Sequence, residues 1–522
     1  MGDTIRLKTN QQRLIANLRH AFNPSSMLGE LLQNARRAQA SHIRVTAGDT
    51  SITVEDDGIG IADLQSLLFI AESGWDADLQ ARENAFGMGV LSTLYFSERL
   101  LVHSGDRSFG ASTAQIIAGE PIYVYEAPVR IGTGIRLEGV KSPTEGLVLS
   151  DWVGQQLRRL ATAFPVRISL NGSELPRPLA DPALPWRETP VGKVLIDLDA
   201  QRFQWRAFLQ GLPIGKDPKT SEHHIVLLRD DMIARLPDRQ HLLNEREDNQ
   251  RIQDAVSTAF RQALIEMKGA MAPEEFIDAY GSTCLTSSNG DLLNDVPFAP
   301  CSWFRNWRDV PPGYARRWEG RFQSGVIAAE TLTETGVWRI EDEEDDEEKT
   351  AEVYLCARNG FLLEEQGFHA GHWLNRITRI VAPEQVIVRA GNILYREANA
   401  SLAELVDLVL TDSIHLSISN DPTEFPVSAV RKEGVVHLTA DASNVTRLIS
   451  SYVFDDRYDE RAKDEDRETI ATFMAIGLSQ DPARAVEALL PEHLRYVPQP
   501  KLANVTVRLV FDGEGKLKNV IS

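Results

Sequence analysis

Residues 27–61 read MLGELLQNARRAQASHIRVTAGDTSITVEDDGIGI, and two hydrophobic periods meet inside this stretch. In its first half Leu28, Leu31, Leu32, Ala35 and Ala38 recur at helical spacing, which predicts a helix over 27–40. In its second half apolar and polar residues alternate over 42–47 and 51–55, with Gly48-Asp49 between them as a hairpin signal. A glycine-bearing turn over 56–61 follows directly. Before the stretch, residues 11–22 carry Leu14, Ile15, Leu18 and Phe22 at helical spacing, and Asn23-Pro24-Ser25-Ser26 breaks the chain and offers a serine cap. After it come an apolar helical run over 64–71 and a polar loop without a clean period over 72–84. An apolar segment over 86–97 then opens with two glycines. Residues 99–140 become strand-like, punctuated at Gly105, Gly119-Glu120-Pro121 and Gly132. This order predicts an α+β sandwich, with helices on one face of a largely antiparallel sheet.

A boundary over 142–149 gives a first domain of residues 1–145. A second α/β domain, residues 146–270, opens with a helix over 151–164. It continues with strands over 167–170, 194–198, 203–209 and 224–228 and closes with a helix over 249–268. Residues 271–522 read as a mixed α+β region with room for two subdomains and a partner or specificity role. There the acidic run 341–348 (EDEEDDEE) reads as a solvated loop between strands over 336–340 and 351–356. Strands and helices mix over 374–455. Residues 465–495 read as helical, and 505–520 as a hairpin turning at Asp512-Gly513. The chain has no internal repeat.

A length of 522 residues exceeds one ordinary core. Apolar content of 43% and charged content of 25% are those of a soluble globular protein. A net charge of -20 disfavours a surface built broadly to coat nucleic acid, while leaving room for a local basic site. Cys284, Cys301 and Cys356 are far apart and form no C-x-x-C pair, which fits a reducing compartment. Residues 1–10 carry no apolar signal region, and no apolar run approaches the ~18 residues of a membrane span. The expectation is a cytoplasmic protein with no membrane partner.

Four elements carry chemistry. Glu30 and Asn34, four apart, share one helix face. Asn34 offers a hard oxygen to magnesium, which takes few protein ligands beside phosphate oxygens, and Glu30 can accept a proton from an attacking water. Alone, the pair also describes a solvated helix edge. Asp56-Asp57-Gly58-Ile59-Gly60 leaves a strand into a glycine turn, where a carboxylate can accept a hydrogen bond from an exocyclic amine such as that of adenine. The bland reading is an ordinary Asp/Gly turn. Gly87 and Gly89 open an apolar helix whose N-terminal N–H groups suit phosphate. Gly132-Thr133-Gly134 turns into a strand with a hydroxyl in reach of a ligand.

In this order and spacing the elements resemble the GHKL superfamily of gyrase, heat-shock chaperone, histidine kinase and MutL ATP-binding domains, which share the Bergerat fold. The resemblance covers about residues 10–140. It implies ATP and Mg as cofactors, Glu30 as general base and Asn34 as magnesium ligand. It further implies Asp56, Gly58 and Gly60 as the adenine box, Gly87 and Gly89 as a phosphate-facing lid hinge, 72–84 as the lid and Thr133 as the final threonine. One position departs: relatives with chaperone or mismatch-repair roles carry an aspartate three residues after the asparagine, where this chain has Arg37, expected at the surface.

Histidine kinases of this superfamily place a phospho-accepting helix before the domain, which here begins within about ten residues of the start, so that branch is not expected, and Glu30 points to hydrolysis by activated water. In such relatives a second domain sends a cation to the γ-phosphate. Lys216, on the loop 210–216 (QGLPIGK), is the first candidate, with Arg235 and Arg239 as alternatives. The function expected is an ATP-driven switch, chaperone-like or clamp-like, forming a homodimer on ATP binding and acting on protein partners. The alternative is a nucleic-acid-directed ATPase using residues 301–322, where Trp303, Phe304, Trp307, Tyr314 and Trp318 interleave with arginines such as Arg305 and Arg308. His369 and His372, three apart, and the pair His223-His224 read as core or surface histidines rather than metal ligands. No G-x-S-x-G or P-loop lysine motif is present.

Overall fold

A computed structural model describes residues 24–68, 89–200, 204–235, 241–305, 325–341, 348–400 and 402–522. The chain folds as α+β and forms two compact units, residues 1–270 and 271–522.

In the first unit, helix α1 (Pro24–Arg37) is followed by the hairpin β1 (His42–Ala47) and β2 (Ser51–Asp56). Their register pairs Val45 with Val54 and Ala47 with Ile52, so the alternation seen along the chain becomes one buried face. Helix α2 (Gly89–Phe96) then leads into a long ribbon of β3 (Arg99–Ser112) and β4 (Val124–Glu138). Between the two strands stands α3 (Thr113–Ala118), where only strand and turn were expected. Its signal is local: Ser112 and Gln115 form a reciprocal capping box, and Gly119 ends the helix at φ +74°. Helix α4 (Leu149–Ala161), β5 (Arg167–Leu170) and β6 (Ser173–Glu174) complete a six-stranded sheet in the order β3-β4-β2-β1-β5-β6. Only the β1–β5 pair is parallel.

One hydrophobic core joins α1, α2 and α4 to this sheet and runs from Met27 to Leu175. The expected boundary at 145–146 therefore falls inside this core, because Trp152, Val153, Leu157 and Ile168 fill it. A second core lies under β7 (Arg187–Thr189), β8 (Gly192–Leu195), β9 (Trp205–Leu209), β10 (Leu212–Ile214) and β11 (His224–Leu228). The long helix α5 (Glu245–Ala270) covers it with Ile252, Val256 and Ala259.

In the second unit, residues 351–356, expected as a strand, belong to the helix Thr350–Ala357. The reason is topological. Val337–Ile340 pairs in parallel with Phe361–Leu362, and a parallel pair needs a crossover, which this helix supplies. A short run buried on nearly every side carries no period that separates helix from strand. The helix Glu460–Leu478 and the terminal hairpin of Arg508–Phe511 with Leu517–Ile521 match the expected pattern. No described helix is long and apolar enough to cross a membrane.

Candidate nucleotide site

Strand β2 buries Ile52, Val54 and Asp56 on the same face. The period that fills the core thus also carries a carboxylate inward at the strand's end. Oδ1 of Asp56 accepts the Gly58 N–H at 2.9 Å and the Thr133 N–H at 3.3 Å. Burial raises the Asp56 pKa above the ordinary carboxylate value, against the pull of those two N–H groups and of the Arg130 charge. Both hydrogen bonds land on one oxygen, Oδ1, and among the described residues no backbone N–H donates to Oδ2.

The turn around Asp56 is held from two sides. The Ile59 N–H donates to the Ala38 carbonyl at the end of α1 at 2.8 Å. A Cβ on Gly58 would stand 2.5 Å from that same oxygen, so the close approach requires glycine. On the other side the Ile61 N–H donates to Ser104 Oγ at 2.7 Å, and Ser104 Oγ donates to the Gly132 carbonyl at 3.1 Å. Gly132 sits at φ +76°, and a Cβ there would stand 2.0 Å from the Asp56 carbonyl oxygen. Thr133 meets Asp56 through its backbone N–H, while its buried hydroxyl lies 3.3 Å from Ser104 Oγ. Asp56, Gly58, Gly60 and Thr133 therefore form one cluster. Ser104 and Arg130, which the sequence reading missed, belong to it; Arg130 pairs with Glu55 at 3.2 Å. Neither had a local motif to announce it.

Helix α1 is tied to this cluster through its backbone. The Ala38 N–H donates to the Asn34 carbonyl at 2.9 Å, and Ala38 in turn accepts from Ile59. Glu30, Asn34 and Arg37 follow one another at four and three residues, so they share a face of the helix. Glu30 is buried and Asn34 half-buried. Arg37, expected at the surface, is only 7% exposed, and its Nη1 donates to Asn34 Oδ1 at 3.4 Å.

Glu30 also lines a cavity of about 70 Å³ with Gln33, Arg159, Gln210 and Leu212. That space is large enough for several waters, each needing roughly 10–15 Å³. The cavity lies where the β9–β10 turn meets α1. Gln210 and Gly211 take φ +53° and +81°, the left-handed pair of a tight hairpin, and the Gln33 side-chain amide donates to the Gln210 carbonyl at 2.9 Å. Lys216 is exposed beyond β10 and does not line the cavity. Its neighbour Asp217 pairs with Arg159 at 2.9 Å and Arg206 at 3.0 Å. Arg235 is exposed. Arg239, Gly87 and the expected lid over 72–84 lie outside the described residues, and Gly89 opens α2.

Elsewhere, Trp303 and Phe304 are buried, and Arg305 pairs with Glu364 at 2.6 Å and Glu352 at 3.5 Å. The described part of the 301–322 stretch is thus core and ion pair, with no open ring for a base; residues 306–324 lie outside the described residues. His372 is buried, its Nδ1 accepts the Leu374 N–H, and burial lowers its pKa to about 4. Among the described residues no three His, Cys, Asp or Glu side chains gather into a metal-sized group.

The residues fit an adenine: a buried carboxylate with one oxygen already used sits in a turn too tight for side chains. They fit magnesium at Asn34 poorly. A metal at about 2.1 Å from Oδ1 would lie within about 5.5 Å of the Arg37 guanidinium nitrogen. The repulsion is on the order of 6 kcal/mol at an effective dielectric near 20.

Compared with known proteins, the chain matches no protein-family model and no curated protein.

Proposed function

We propose that residues 24–140 form an ATP site of the Bergerat type and that the protein is an ATP-hydrolysing conformational switch acting on protein partners. The observation that carries this reading is Asp56: a buried carboxylate with both backbone bonds on Oδ1, in a cluster bonded to the helix bearing Glu30. In this reading Oδ2 accepts a hydrogen bond from the exocyclic amine of adenine, a charge-assisted bond of about 1.5–3 kcal/mol. The triphosphate runs along the Glu30–Asn34–Arg37 face towards Gly89.

Glu30 takes the proton of a water that attacks the terminal phosphorus. The bond from that phosphorus to the bridging oxygen breaks, and ADP and inorganic phosphate leave. The cavity beside Glu30 supports this role, since it leaves room for a water next to a buried carboxylate. The Gln33–Gln210 bond supports the switch, because it connects the phosphate-bearing helix to the second sheet, from which Lys216 extends. Closure of that sheet over the nucleotide brings Lys216 to the γ-phosphate and prepares the chain to dimerise.

Glu30→Ala tests the reading. ATP should bind as to the wild type in calorimetry while phosphate release falls by ~10²–10⁴-fold. Release unchanged in the variant removes Glu30 from the reaction.

A further inference from the structure

We propose that Arg37 is a phosphate ligand of the nucleotide and replaces magnesium at Asn34, so that the chain binds metal-free ATP about as well as its magnesium complex. The inference rests on the ATP site proposed above. Three observations carry it. Arg37 is 7% exposed, although a long cation on a helix end ordinarily reaches solvent. It continues the Glu30–Asn34 face at the next helical step. Its Nη1 donates to Asn34 Oδ1, the oxygen through which Asn34 would hold a magnesium ion.

Asn34 then acts as an orienting acceptor rather than as a metal ligand. Its carboxamide oxygen sets the plane of the guanidinium beside the phosphate-bearing face. A guanidinium holds phosphate oxygens through paired N–H donors and keeps its charge at any working pH. It can neutralise phosphate charge where a divalent ion beside it would be repelled.

Calorimetric titration of ATP into the full chain, in excess magnesium and in excess chelator, tests the proposal. The wild type should bind in chelator within about threefold of its affinity in magnesium. Arg37→Ala should weaken binding in chelator at least tenfold and thereby acquire a preference for magnesium, and Arg37→Lys should fall between. Asn34→Ala should weaken binding equally in both media, which serves as the deciding variant if Arg37→Ala does not give a cooperative thermal transition. A wild type that loses more than tenfold on chelation overturns the proposal. So does an Arg37→Ala that binds like the wild type, or an Asn34→Ala that loses affinity in magnesium alone. A folded wild type that binds ATP in neither medium overturns the ATP site itself along with it.

Discussion

Asp56 shows how a single residue is placed at a cost to the fold. Desolvation penalises its charged form, and two backbone N–H groups and Arg130 only partly offset that penalty, so its pKa stays above the ordinary value. For a carboxylate with a raised folded pKa, the folded state is favoured below the unfolded value of 3.8. That advantage is lost as pH rises through the folded pKa. Ionisation of the buried group therefore costs stability, and in the ATP site proposed above that cost is borne for the adenine it would bind. Asp56→Asn keeps an oxygen for the Gly58 and Thr133 N–H groups while removing the charge. We expect its melting temperature at pH 7 to equal or exceed the wild type, and its ATP affinity to fall by about 10–100-fold, the worth of a charge-assisted bond. Calorimetry and thermal melts on the same sample check both halves. A lower melting temperature with unchanged affinity would make Asp56 a structural residue.

At the scale of elements, α1 stands between two partners. Its C-terminal end meets the Asp56 turn through Ala38, and its middle meets the β9–β10 hairpin through Gln33 and Gly29. Gln33 is buried, and so is Gln210, whose carbonyl it reaches. Gln33→Met preserves the length of the side chain and removes both the donor to Gln210 and the oxygen that accepts the Arg36 Nε–H at 2.7 Å. The loss expected is about 1–3 kcal/mol, the cost of an unsatisfied buried acceptor, read as a lower urea midpoint with unchanged slope. In the switch proposed above the same variant lowers hydrolysis with little change in ATP affinity, since Gln33 faces the hairpin. The helix itself was legible from its apolar spacing, and so was the hairpin from Gly48-Asp49. The helix 350–357 was not, because a run buried on nearly every side has no period, and its parallel crossover depends on strands outside it.

At the scale of the whole molecule, each unit carries a buried histidine held neutral. Burial lowers the pKa of His224 and of His372 to about 4 from 6.5. In both, Nδ1 accepts a backbone N–H, from Asp197 and from Leu374. A depressed histidine contributes its full stability above the unfolded value of 6.5. The contribution falls as pH drops towards 4, because the unfolded chain takes up the proton first. Between pH 7.5 and pH 5 each unit should lose on the order of 2 kcal/mol from its histidine. Denaturant titrations at the two pH values read this directly. His224→Phe and His372→Phe should each remove their unit's share, and pH-independent midpoints in the wild type would contradict it.

Local period was enough to read the α+β class, helix α1, its hairpin and the order of the four glycine-and-carboxylate elements. Spacing along the chain reports which face a residue occupies, and burial of Asp56 beside Ile52 and Val54 is a statement of that kind. Which residues meet across the sheet is a different matter. Thr133 reaches Asp56 from 77 residues away, Ser104 reaches Ile61 from 43, and Gln210 reaches Gln33 from 177. Those meetings follow from strand register and from the packing of α1 between two sheets, neither of which a local period encodes. Arg37 is the sharpest case. Its place on the Glu30–Asn34 face, and with it the reach to Asn34 three residues back, was legible, but its burial was not, because a helical period does not report what packs over the helix end.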